Sequence, residues 1–200
     1  MQESGQSETW FEGELFRSGL EARWALFYQE MALIWTHKPD PVDFESESFQ
    51  PDFFLRQGLW TIVKGTFPTG EEKDKARSLA ERSGYPVYFV YGEIPHPDPN
   101  DEAWYTASAL AFFSDGTMDE AYWWCACPIC HSAGIQFEGR AANLPCECMK
   151  GADPEWDPSH CHSERILRAY RNARKAEVTA GAEDGHDVLK KRIWFPFDWE

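Results

Sequence analysis

Residues 51–64, PDFFLRQGLWTIVK, place two short apolar segments side by side in the sequence. Their composition is typical of β-strands, and Gly58 separates them as glycine does in tight turns. Asp52 stands at the start of the first strand and Lys64 at the end of the second. The segment therefore predicts neighbouring strands of one sheet with charged side chains at their ends.

The sequence around these strands alternates between helical and strand patterns. Apolar residues recur at helical spacing after Ser18, which suits a helix N-cap. An apolar strand and a loop rich in Pro and Asp then precede Asp52. A second helix begins near Thr69 and ends at Gly84, and PVYFVYG follows as a buried strand. The order helix, three strands, helix, strand predicts an α/β (α+β) core.

The second half of the chain is predicted to be rich in β-strands and to end in a helix. Two strands flank Asp115-Gly116, GIQFEG forms another, and residues 163–175 form an amphipathic helix carrying Arg165, Arg168, Arg171 and Arg174. We expect AGAEDGHD (180–187) to be a loop and WFPFDW (194–199) to pack on the core. The predicted units are a disordered N-terminus (1–9), the core (10–95), a β-rich zinc-binding module (96–162), and a C-terminal helix with an aromatic tail (163–200).

The chain is strongly acidic, with 34 Asp and Glu against 19 Lys and Arg, a formal charge of −15. This balance argues against an ordinary nucleic-acid-binding protein, which needs a basic surface. The charge either keeps the protein soluble or imitates nucleic acid toward a basic partner. No apolar run is long enough to span a membrane, and MQESGQSET has no features of an export signal. We expect a cytoplasmic location, including the cytoplasm of an infected host.

All six cysteines lie between positions 125 and 161, which favours a metal site over disulfides. Two closely spaced pairs, fifteen residues apart, predict a structural Zn²⁺ held by Cys127, Cys130, Cys146 and Cys148. Cys125 sits on a strand beside two Trp and is predicted to be a buried apolar residue. The remaining alternative ligands are His131, His160, Cys161 and His162.

Asp52 and Lys64 also suggest a second kind of metal chemistry. Carboxylates at strand ends can hold Mg²⁺ while a nearby Lys activates water for phosphodiester hydrolysis. The second carboxylate is expected two residues before the Lys, on the same face of the strand. Ile62 occupies that position, and its side chain cannot bind a metal.

Several of these segments, in this order, resemble the phage-associated nuclease-like proteins of the PD-(D/E)XK superfamily. The similarity covers residues 15 to about 92 through FRSGLEARWA, PDFFL, IVKG, the Glu- and Lys-rich helix and PVYFVYG. The Cys-Pro-x-Cys, FEGR and Cys-x-Cys elements extend it to about residue 175. The resemblance implies a restriction-endonuclease-like core, Mg²⁺ or Mn²⁺ bound by Glu21 and Asp52, Lys64 as the catalytic lysine, and DNA as substrate.

Ile62 departs from the family pattern and leaves three explanations open. The missing carboxylate has moved to Glu71 or Glu72; or Glu21 and Asp52 hold one metal with the Val63 carbonyl; or the fold is inactive and kept for binding. The corresponding functions are a metal-dependent nuclease and a non-catalytic acidic protein that inhibits a nucleic-acid-targeting host defence complex. A zinc-stabilised structural subunit of a DNA-processing assembly is the third reading. The Arg row of residues 165–174 is interpreted as a solvated face in preference to a phosphate-binding one.

Overall fold

The structure is a computed structural model that describes residues 7–43, 48–96, 109–120, 122–137, 144, 146–148 and 163–190. Along these residues the chain forms, in order, β1 (Thr9–Phe11), β2 (Glu14–Phe16), α1 (Gly19–Glu30), β3 (Trp35–His37), β4 (Val42–Asp43), β5 (Ser48–Phe49), β6 (Phe53–Leu55), β7 (Leu59–Lys64), α2 (Gly70–Ser83), β8 (Val87–Tyr91), β9 (Ala109–Phe112), β10 (Met118–Asp119), β11 (Tyr122–Ala126), β12 (Ala133–Phe137), α3 (Glu164–Lys175), β13 (Glu177–Glu183) and β14 (His186–Lys190). The predicted α+β class is confirmed. Within this part of the chain, no helix combines the length and the apolar character that a membrane crossing requires.

A six-stranded sheet in the order β10-β9-β8-β7-β6-β3 forms the centre of the protein. The predicted hairpin of β6 and β7 is present, and Gly58 lies in its turn with a φ of +84°. A Cβ atom at Gly58 would meet the Tyr85 ring at 2.8 Å, so glycine is needed there for space as well as for conformation. Helix α2 connects β7 to the parallel strand β8, while the other neighbouring strands are antiparallel.

The two faces of this sheet are covered by different helices. Val63 and Tyr88 belong to the large core that contains residues of α1 and α3. Ile62 and Phe89 alternate with them and pack instead against α2. Because side chains in a strand point to opposite faces in turn, Ile62 and Lys64 share the α2 side of β7.

The helix boundaries follow from side-chain capping, as the sequence predicts. Ser18 caps α1 by accepting a hydrogen bond from the backbone N–H of Glu21. Thr69 and Glu72 form a reciprocal capping box at the start of α2, and Gly84 ends that helix in the left-handed conformation. Ser163 caps α3, whose buried residues are Ile166, Ala169, Tyr170 and Ala173.

A second sheet, ordered β13-β14-β1-β2, corrects two expectations. The segment AGAEDGHD is not a loop, because it forms most of a hairpin that turns at Asp184-Gly185. Both turn residues have positive φ, which matches the type of two-residue turn that suits the twist of a hairpin. Residues 7–9 are not disordered, since the Asp187 N–H donates to the Glu8 carbonyl and Thr9 pairs with Asp187. Residues 1–6 and the predicted aromatic tail lie outside the described residues.

The cysteine-bearing hairpin of β11 and β12 shares the core of the central sheet. Trp124 of β11 is 1% exposed and packs against Phe27, Tyr28 and Tyr88. Helix α3 lies on α1 and also contacts β11. The cysteine-bearing end of the hairpin is therefore anchored by a packed aromatic cluster. The predicted hairpin at Asp115-Gly116 is also present, as β9 and β10.

Candidate functional site

Glu21 and Asp52, the two predicted ligands of Mg²⁺, lie close together although they are far apart in the sequence. Glu21 is placed by the Ser18 cap in the first turn of α1. Asp52 is fixed by two backbone bonds, since its N–H donates to the Thr61 carbonyl and its Oδ2 accepts from the Val63 N–H at 2.7 Å. Both carboxylate side chains are only 4% exposed. The backbone N–H group of Val63 thus helps to hold the Asp52 carboxylate in position.

Arg17 bridges these two buried carboxylates. Its Nε donates to Glu21 Oε1 at 2.9 Å, its Nη2 is hydrogen-bonded to Asp52 Oδ1, and its backbone N–H lies 3.2 Å from Glu21 Oε2. The Arg17 side chain is 51% exposed, so the guanidinium reaches the carboxylates from the surface. Sequence reasoning missed Arg17. The available signal was its position immediately before the Ser18 N-cap of α1, four residues before Glu21.

The charges at this site shift the pKa values in opposite directions. Burial and the negative charge of Glu21 raise the pKa of Asp52 to about 6, and they outweigh Arg17 and the Val63 N–H, which act the other way. Burial also favours a higher pKa for Glu21, but contacts with His37 and Arg17 outweigh it, so the Glu21 pKa is lowered. The pKa of Arg17 is raised, because attraction to the two carboxylates exceeds the effect of its burial.

His37, at the end of β3, lies beside Glu21 of the carboxylate pair. Its Nδ1 lies 3.2 Å from a carboxylate oxygen of Glu14, and its Nε2 lies 3.8 Å from Glu21 Oε2. The Nε2 atom is buried and has no hydrogen-bond partner among the residues that the structure describes, and the ring packs on Phe16 and Phe53. Sequence reasoning missed His37 as well, because a single His in a short edge strand carries no pattern.

Lys64 lies on the α2 side of β7, as Ile62 does. Its Nζ lies 2.6 Å from Glu72 Oε1, and the hydrogen bond from Lys64 is the main cause that lowers the pKa of Glu72. Ile62 is 4% exposed and contributes to the core beneath α2. Glu71 pairs with Lys75 at 2.7 Å. The structure therefore links Glu21 to Asp52 through Arg17, and Lys64 to Glu72 by a direct ion pair.

The Arg row of α3 is used for contacts within the chain. Arg165 donates to the carbonyls of Glu30 and His131, Arg168 lies near Glu30, Arg171 pairs with Glu164, and Arg174 donates to the carbonyl of Ile94. These contacts spread the four guanidinium groups over several surfaces, so they do not form a continuous track for phosphates.

The four predicted zinc ligands come together as the spacing predicts. The sulfur atoms of Cys127, Cys130, Cys146 and Cys148 all lie within 4.8 Å of one another, and they are the one such group among the described residues. Four thiolates around Zn²⁺ at about 2.3 Å have their sulfur atoms about 3.8 Å apart, so the cluster fits a tetrahedral ion. A tetrahedral ion held by four thiolates would have no open position for substrate.

The first cysteine pair sits in a tight turn that is already shaped for a metal. The Cys127 N–H donates to the Ser132 carbonyl, and the His131 N–H donates to the Cys127 carbonyl, each at 2.9 Å. The Ile129 N–H points at the Cys127 sulfur at 3.4 Å. Hydrogen bonding to Ser132 lowers the pKa of Cys130 to about 6, which favours the thiolate that a metal requires.

The alternative zinc ligands divide into described and undescribed residues. Cys125 is 3% exposed and is not part of the sulfur cluster, in agreement with the predicted apolar role. Burial raises its pKa to about 12. His131 also lies outside the cluster, whereas residues 160–162 are not among those the structure describes.

No protein-family model, curated protein or solved structure matches this chain.

Proposed function

We propose that this protein is a non-hydrolytic descendant of the PD-(D/E)XK superfamily that binds a basic, nucleic-acid-handling protein such as a host defence complex. The observation that carries the proposal is the position of Arg17, which is bonded to both carboxylates predicted to hold the metal. A resident guanidinium neutralises these acids without supplying a Lewis acid. The site therefore resembles a nuclease site in which the guanidinium group of Arg17 has replaced the divalent metal ion.

The position of Lys64 supports the same conclusion. Hydrolysis by this class of site requires the lysine beside the metal, where it can act on the attacking water. Here its ammonium group is bound to Glu72 on the α2 side of the sheet, and Ile62 fills the core where a ligand is expected. Assembly of a catalytic group from Glu21, Asp52 and Lys64 would require Arg17 and Lys64 to break their present ion pairs.

The four-stranded sheet supplies an acidic surface for such a partner. Residues 8–16 and 177–190, which contain its strands and turns, include one lysine, Lys190, and seven acids: Glu8, Glu12, Glu14, Glu177, Glu183, Asp184 and Asp187. Glu8 and Glu14 have side chains that are 53% and 48% exposed. The acids concentrated on these strands and turns offer charge complementarity to a groove that binds phosphates. The proposed Zn²⁺ stabilises the β11–β12 hairpin and takes no part in binding chemistry.

The absence of hydrolysis is tested with single- and double-stranded DNA in Mg²⁺ or Mn²⁺. We expect the zinc-loaded protein to cleave no faster than Asp52→Asn, its isosteric control. Metal-dependent cleavage that is lost in both Asp52→Asn and Lys64→Met would refute the proposal.

Binding is tested by competition against purified nucleic-acid-targeting defence complexes carrying a fluorescent DNA or RNA probe. We expect the protein to displace the probe from its target complex, and Glu8→Gln/Glu12→Gln/Glu14→Gln to weaken displacement strongly. The matched control is Glu71→Gln/Asp74→Asn, which removes exposed acids of α2 that pair with Lys75 and Arg77. Equal displacement by both variants would contradict a role for the acidic sheet.

Metal-dependent hydrolysis by Glu21, Asp52 and Lys64 is the second candidate function. It is favoured by one observation, which is that the fold brings Glu21 and Asp52 to the same guanidinium. The cleavage assay above separates the two candidates.

A further inference from the structure

A cleft of about 490 Å³ opens between the central sheet and the zinc-binding turn. Its walls are the segment after α1 (residues 31–34), the β6–β7 turn (Arg56 and Gln57), the zinc-binding turn (residues 130–133) and Arg165 of α3. This volume lies within the range of small-molecule sites. None of the elements that the proposed function uses, neither the carboxylate pair nor the acidic sheet, lines this cleft.

The described residues that line the cleft differ in charge from the chain as a whole. They include two arginines, Arg56 and Arg165, and no Asp or Glu, in a chain with 34 Asp and Glu, and Cys130 of the sulfur cluster also lines the cleft. Arg165 donates to the carbonyl oxygens of Glu30 and His131, which do not neutralise its charge. Arg56 is exposed, and neither arginine forms an ion pair with any residue in the described ranges.

An unsatisfied donor lies in the same wall. The Gln57 Nε2 atom is buried and has no hydrogen-bond partner among the described residues. A buried amide without a partner is costly, and a ligand acceptor in the cleft would satisfy it. Beside these donors, Met31 and Leu33 form an apolar floor, and Ile34 has 60% of its surface exposed.

We propose that this cleft binds a phosphate ester about the size of a mononucleotide, with the phosphate between Arg56 and Arg165. Guanidinium groups match phosphate geometry and bind it with paired, charge-assisted hydrogen bonds. The apolar floor accommodates the base or another flat apolar group. Such a phosphate ester is supplied either by a free nucleotide or by the 5′ end of a nucleic-acid strand.

The test is calorimetric titration of the full, zinc-loaded chain with thymidine 5′-monophosphate, with thymidine as the uncharged control. We expect the nucleotide to bind and thymidine not to bind. Arg56→Ala should weaken binding about tenfold or more, as for the loss of hydrogen bonds to a charged group. Arg77→Ala is the matched control, because Arg77 lies on α2 beside Asp74, outside the cleft, and its loss should change affinity less than about twofold.

A second pair of probes identifies the source of the phosphate. Binding of a 5′-phosphorylated oligonucleotide in preference to its 5′-hydroxyl form, with loss in Arg56→Ala, assigns the cleft to strand ends; binding of the mononucleotide alone assigns it to free nucleotides. Arg56→Ala is the decisive variant, since Arg165 also holds two backbone carbonyls and its removal can disturb the fold. No heat of binding for any phosphorylated probe with the folded protein, or equal affinity in Arg56→Ala and wild type, would overturn the inference.

Discussion

Replacement of Arg17 by Met tests whether the guanidinium is the counter-ion of the two buried carboxylates. The variant keeps an unbranched apolar stem but leaves Glu21 and Asp52, each 4% exposed, without their cation. Removal of one partner from a buried ion pair costs about 3–5 kcal/mol. Because Arg17 itself is 51% exposed, solvent screening reduces this figure, and we expect a loss of about 2 kcal/mol at pH 8.

The loss should depend on pH in a defined direction. The pKa of Asp52 is already raised to about 6, and removal of a positive neighbour raises it further. The variant therefore takes up a proton at a higher pH than the wild type, and this protonation relieves the uncompensated charge. The difference in the free energy of unfolding between wild type and Arg17→Met should shrink to about 1 kcal/mol at pH 5.

The assay is urea unfolding followed by tryptophan fluorescence at pH 5 and pH 8, with Arg77→Met as the control. Arg77 pairs with Asp74 on the exposed face of α2, where an ion pair contributes little, so this variant should lose less than about 0.5 kcal/mol at either pH. In an Asp52→Asn background, Arg17→Met should cost less than half as much as in the wild type. An equal loss at both pH values, or a loss no larger than that of Arg77→Met, would refute the counter-ion role.

Three further predictions concern the metal and the core. The purified protein should carry one Zn²⁺ per chain by elemental analysis. Cys127→Ser should lose the ion, whereas Cys125→Ser should retain it. Loss of zinc in both variants would contradict the proposed set of four ligands. Trp124→Ala should cost about 3–5 kcal/mol of unfolding free energy, because it empties the aromatic cluster that joins the hairpin to the central sheet, and a loss below about 1 kcal/mol in urea unfolding would contradict that packing. Ile62→Glu, which introduces the carboxylate expected from the resemblance, should destabilise by about 3 kcal/mol or more without creating nuclease activity, because the new carboxylate enters the core beneath α2; Mg²⁺-dependent cleavage of DNA by this variant would show that the proposed hydrolytic site can be assembled.

The helices and the cysteine cluster were predictable because their signals are local. Ser18, Thr69 and Gly84 cap helices through hydrogen bonds to residues within three or four positions. Cys127 and Cys130 are joined by a turn of two residues, so their spacing alone fixes that they can share an ion. The Asp-Gly pair at 184–185 is also a local hairpin signal, but the acidic, Gly-rich composition of residues 180–187 is equally typical of a loop.

The sequence predicted the two carboxylates of this site but not the side chains that pair with them. The resemblance in sequence pattern led to the expectation that Glu21 and Asp52 act together. No local sequence signal identifies the cation that balances their negative charge. Arg17 reaches Asp52 across 35 positions of sequence, and His37 approaches Glu21 only because β3 pairs with β6. The side of the sheet that Lys64 faces was predicted to be that of Ile62, yet the choice of Glu72 as its partner depends on how α2 packs.

The parallel pairing of β1 with β14 determines the order in which this chain can complete its fold. Ser7 and Asp187, which are hydrogen-bonded across that junction, are 180 residues apart in the sequence. At ribosomal speeds of about 5–20 residues per second, β1 waits on the order of 10–40 s for its partner strand. During that interval the edge of β1 that β14 later covers is open and exposed to pairing with other chains. The acidic residues beside it, Glu8, Glu12 and Glu14, give the nascent chain a charge that opposes self-association before the sheet is closed.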